Sequence, residues 1–122
     1  MKIDFDILSA ILDAYPYQVV FCDRNHIIRY MNKDARERYA GKISVGDSIF
    51  GCHNQSSCQK IEAFLARADA GEEEMFEAIN PTAREREFFT PVRDQNGTVI
   101  GYFERHEYYG DLKDDGKSGS DN

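Results

Sequence analysis

Pro91-Val92-Arg93-Asp94-Gln95-Asn96-Gly97-Thr98-Val99-Ile100-Gly101-Tyr102 is the stretch on which the fold turns. Asn-Gly is the strongest short-range hairpin signal, because a tight turn needs positive φ and glycine adopts it without steric cost. The residues before the turn, 84–92, carry Phe88 and Phe89 at their centre and read as a strand. Pro91 has no amide hydrogen, so that strand is an edge or bulges there. After the turn, 98–108 reads as a long final strand. Residues 75–80, bounded by Pro81, form another. The C-terminal third is therefore sheet.

Upstream the period changes to that of helices. Cys58, Ile61, Phe64, Leu65 and Ala68 make one apolar stripe, and Gly71 sits just past its end. Ser56 followed by Gln59 has the spacing of a capping box. Before it, residues 45–50 form one helical turn, with Val45, Ile49 and Phe50 facing inward. Asn32 caps a short helix over 33–40 that ends at Gly41, with Ala35 and Tyr39 inward. Residues 17–22 and 27–31 are strands around the turn Asp23-Arg24-Asn25. The first segment is helical: Phe5, Leu8, Leu12 and Tyr15 share a face, Asp4 is its N-cap and Pro16 stops it. The order is helix, two strands, short helices, a longer helix, three strands.

The chain has 122 residues with 15 basic and 22 acidic side chains, a net charge of −7. That length is one domain. The acidic balance argues against a nucleic-acid partner, since phosphate binding needs a Lys/Arg-rich face. No apolar run approaches the ~20 residues of a membrane span. The acidic start, Met1-Lys2-Ile3-Asp4-Phe5-Asp6, lacks the basic and apolar regions of a signal peptide. Three cysteines are an odd number, so reduced thiols and a cytoplasmic location are expected. Residues 1–109 form the domain. Residues 110–122, GDLKDDGKSGSDN, hold one large apolar residue and are expected to be a disordered acidic tail.

The ordered set of these signals resembles the PAS domain, a sensory module. Val20-Phe21-Cys22-Asp23-Arg24-Asn25 with Ile28-Arg29-Tyr30-Met31-Asn32 is similar to the first PAS hairpin, and the stretch quoted above to the last. Gly51-Cys52-His53 before the longer helix is similar to a subgroup found in bacterial proteins beside hemerythrin-like domains. That subgroup usually follows Cys-His with prolines, where this chain has Asn54-Gln55. The resemblance implies an α+β fold: a five-stranded antiparallel sheet, order 2-1-5-4-3, with helices across one face. It also implies a sensor rather than an enzyme, binding a small molecule between sheet and helices. The signal would pass through a homodimer or to a downstream signalling protein.

Candidate cavity residues on that reading are Phe21, Tyr30, Phe50, Cys52, His53, Phe64, Phe76, Phe88 and Tyr102. Phe5, Leu8, Leu12 and Tyr15 are the candidate dimer face. His53 could ligate heme iron, and Cys52 with Cys58 could act as a thiol redox pair. The plainer reading makes both cysteines small buried hydrophobes. The Cys-His-x4-Cys spacing is no zinc pattern, and the Cys-x-x-Cys-His of a c-type heme is missing. Flavin photochemistry is disfavoured, because Gly51-Cys52-His53-Asn54 lacks the Arg and Gln of the light-sensing subgroup. Arg84, Arg86, Arg93 and Arg105, alternating with Glu85, Glu87 and Glu104, read as a solvated sheet edge with cross-strand ion pairs. No phosphate loop, nucleophile elbow or HExxH motif is present, so no catalytic residues are assigned.

Overall fold

The computed structural model describes residues 1–52, 54–73 and 76–110. Asp4 starts the first helix by accepting the Ile7 amide at 3.0 Å, and α1 runs Phe5–Ala14. β1 (Val19–Asp23) and β2 (Ile28–Met31) form the first hairpin. Asn32 then caps α2 (Lys33–Arg38). Its buried amide is used completely: Oδ1 accepts from Val19 N and Ala35 N, and Nδ2 donates to the Leu12 and Tyr17 carbonyls. One side chain thus ties α1, β1 and α2 together.

A 3₁₀ turn (Ile49–Cys52) follows, later than the turn expected over 45–50. Ile49 is buried as expected and Phe50 half-buried, but Val45 is 55% exposed. Val45 lies in a tight loop closed by Ser44 N donating to Asp47 Oδ2 at 2.9 Å, and Ile43 packs against the core instead. The helix α3 (Gln55–Asp69) buries Ile61, Phe64, Leu65 and Ala68. Its cap is Asn54, whose Oδ1 accepts the Ser57 amide at 2.8 Å. The capping box at Ser56 is therefore corrected: an Asn two residues earlier takes the cap, and Ser56 falls in the first turn.

β3 (Phe76–Asn80), β4 (Glu85–Arg93) and β5 (Val99–Tyr108) complete one antiparallel sheet in the order β2-β1-β5-β4-β3. Gly97 has φ +84° in the last hairpin, as Asn-Gly required. The ladder slips at Val92/Arg93, next to Pro91, which is the bulge expected there.

Residues directly opposite in an antiparallel ladder share a face. Val20, Cys22, Tyr102, Glu104, His106, Glu87, Phe89 and Pro91 therefore look one way, the inner face. Phe21, Phe103, Arg105, Phe88 and Thr90 look the other way, the outer face. The core joins Val20, Cys22, Ile28, Met31, Phe89, Val99 and Tyr102 to Ala35, Ile49 and the α3 stripe. The helices thus cover the inner face. No helix among the described residues is long and apolar enough to cross a membrane. The tail beyond Gly110 lies outside the described residues.

Candidate functional site

Strand alternation divides the residues singled out in the sequence. Phe64 and Tyr102 are fully buried on the inner side, and Phe50 packs partly buried against them. Phe21, Tyr30 and Phe88 point to the outer face. Placing them with the inner-face residues needs correction, because the side-chain period of a strand is two and Phe89, not Phe88, faces the helices. The side chains of Cys52 and Phe76, and all of His53, lie outside the described residues. Cys58 is half-buried in the first turn of α3.

At the centre of the inner face, the Tyr102 hydroxyl meets His26 Nδ1 at 2.8 Å. The His26 ring stacks on Phe50 at 4.2 Å. Phe64 meets Tyr102 edge-on at 6.3 Å, and Phe89 lies tilted at the same distance. Burial drives the Tyr102 phenol far above its ordinary range, so it stays protonated. Burial also lowers His26, outweighing the nearby acids Glu62 and Asp23. The pair is therefore a neutral hydrogen bond at neutral pH, at the rim of an aromatic cluster. His26 sits in the turn before β2 with φ 66°.

The same face becomes polar toward the other end of β5. Glu104 and His106 are 4% exposed and Glu85 is 7% exposed. The alternating charges of these strands point to a solvated sheet edge, and burial overturns that reading for Glu85 and Glu104. His106 Nδ1 is 2.9 Å from Glu85 Oε1, and its Nε2 is 2.9 Å from Glu104 Oε2. Arg38 of α2 reaches both Glu85 oxygens, at 3.0 and 2.7 Å. Burial opposes charge on His106, but the hydrogen bond and charge of Glu104, then of Glu85, outweigh it and raise its pKa. Arg38 lowers Glu85 despite its burial. The signal was present in the sequence: Tyr102, Glu104 and His106 lie at period two along one strand, so they share the core-facing side.

On the outer face, α1 and the sheet enclose an apolar groove of about 980 Å³. Phe5, Leu8, Leu12 and Tyr15 line it from the helix, and Phe21, Tyr30, Val92 and Phe103 from the sheet. Phe5, Leu8 and Ile11 remain 71%, 52% and 59% exposed.

The family model described as "PAS fold" matches residues 12–107, most of the chain. The chain belongs to the PAS family. Solved structures agree on the fold. A PAS domain from Colwellia psychrerythraea superposes with a TM-score of 0.61 at 13% identity, covering 84% of this chain and 94% of that one. The PAS domain of BvgS from Bordetella pertussis gives 0.58 at 14% identity, covering 83% and 82%. A C-terminal domain from Streptococcus mutans gives 0.68 at 18% identity, covering 88% and 87%. At these identities the likeness is one of fold alone. A search of curated proteins found no significant match. PAS domains are generally sensory and non-catalytic, and the helix-covered inner face described here is that of a PAS sheet.

Proposed function

We propose that this PAS domain is a cytoplasmic sensory module that signals by changing contacts at α1 and the outer sheet face. A small molecule bound on the inner face, against Phe50, Phe64 and Tyr102, would be the input. The occupant of the outer groove would be a second copy of this chain, and a downstream signalling protein would read the dimer. The protein acts by binding, not catalysis, and its charge of −7 disfavours nucleic acid as the partner.

The observation that carries this reading is the apolar groove under α1. A lone helix leaving Phe5, Leu8 and Ile11 in water forgoes roughly 1.5–3 kcal/mol of burial for each side chain. A two-fold axis along α1 would cover the helix and the outer face of both copies with one self-complementary patch. α1 also touches the rest of the domain through polar contacts that can rearrange: Ser9 Oγ with the Tyr30 hydroxyl at 3.1 Å, and Asp13 with Lys33 N at 2.8 Å.

Sedimentation velocity of the full chain and of Leu8→Asp tests it. The expected result is a dimer that dissociates at least ten-fold more readily in the variant, with an unchanged circular dichroism spectrum. Identical monomeric sedimentation of both proteins would overturn the reading.

A further inference from the structure

The polar end of the inner face contains a set of groups that the aromatic cluster and the outer groove do not use. Glu87, Glu104 and His106 each offer a ligand atom, all within 4.8 Å of one another. Metal–oxygen and metal–nitrogen bonds of about 2.0–2.2 Å place cis or tetrahedral ligand atoms roughly 3–3.6 Å apart. His106 Nε2 and Glu104 Oε2 already lie 2.9 Å apart, so closing the set onto one ion takes a side-chain adjustment at Glu87.

The second observation is Gln18. It is fully buried, and among the described residues neither its Oε1 nor its Nε2 has a hydrogen-bond partner. Its carbonyl accepts the His106 amide at 3.3 Å, which extends the β1–β5 ladder by one position. Strand alternation then puts the Gln18 side chain on the inner face, directly across from His106. Buried polar groups are almost always hydrogen-bonded, so a buried amide with both ends unmade marks a place for a further partner.

We propose that Glu87, Glu104 and His106 bind one divalent transition-metal cation, with the Gln18 side-chain Oε1 beside it as a further ligand. One imidazole and two carboxylates suit Zn²⁺, Mn²⁺ or Fe²⁺, whereas Mg²⁺ and Ca²⁺ favour all-oxygen shells. His106 Nε2 binds the ion and releases its proton to solvent. Nδ1–H keeps its 2.9 Å bond to Glu85, which Arg38 holds at both oxygens. That is the carboxylate–histidine–metal arrangement that fixes a ring's tautomer and direction. The inference does not depend on a small molecule binding at the aromatic end.

The test is titration of the 122-residue chain, stripped with chelator, with Co²⁺ as the spectroscopic probe and then Zn²⁺ and Mn²⁺ by calorimetry. One ion per chain is expected, with visible cobalt bands and no thiolate charge-transfer absorption, together with a rise in melting temperature. Glu87→Gln, at a half-buried position, and Glu104→Gln should each abolish uptake. Glu85→Gln, a positioning residue, should weaken it roughly 10–100-fold. Cys52→Ser/Cys58→Ser should bind as before. No uptake, uptake unaffected by Glu87→Gln in a variant that melts normally, or a signal lost in the cysteine variant would each overturn the proposal.

Discussion

Asn32 is the residue on which most of the local structure converges. Its Oδ1 accepts two backbone amides, and its Nδ2 donates to two carbonyls, inside the protein. Asn32→Ala strands those four groups and removes a helix cap. A loss of about 3 kcal/mol is expected in urea unfolding, well above the ~1 kcal/mol of a simple cap. His26 carries a pH dependence with a definite sign. Its pKa is lowered in the folded state by burial, so the unfolded chain takes up the proton first, and stability falls as pH drops through about 6.5. His26→Asn keeps a residue that tolerates the positive φ but removes the titration. The destabilisation caused by that variant should be smaller at pH 5 than at pH 8, with unfolding free energies measured at both. The Asn32 cap was legible in the sequence because Asn precedes a short polar helix. The Tyr102–His26 bond was not, because it joins residues 76 apart and no local pattern encodes it.

Among elements, the last hairpin shows how close the backbones run. A methyl group at Gly101 would meet the Cys22 carbonyl and the Phe21 ring of β1. Gly101→Ala should therefore cost about 1–3 kcal/mol in thermal or chemical unfolding, although alanine is otherwise the better-behaved residue in a strand. This hairpin was readable at every level, from the Asn-Gly turn to the bulge beside Pro91. The α3 stripe was equally clear, yet its start was misjudged, because Asn54 and Ser56 are both competent caps and only geometry chooses between them. The charged strands misled more seriously. Arg and Glu alternating along β4 and β5 looked like a surface pattern. Glu85 and Glu104, on the inner side of that alternation, are buried, and the non-local Arg38–Glu85 pair that compensates for burial is invisible in either strand alone.

The whole molecule is a PAS domain whose two sheet faces do different work: one packs helices, the other leaves an apolar groove under α1. The fold was legible in the order of elements, since each turn and cap pointed to the same topology. The division of labour between faces was less so. It depends on which of two adjacent phenylalanines, Phe88 or Phe89, turns inward, and a single register step decides that. In the proposed function a ligand on the inner face is reported through paired α1 helices. Native mass spectrometry of the 122-residue chain, purified without added ligand, addresses both halves at once. A mass of two chains with a co-purified small molecule is expected, and single chains for Leu8→Asp. A bare single-chain mass at all concentrations, unchanged by that variant, would contradict it.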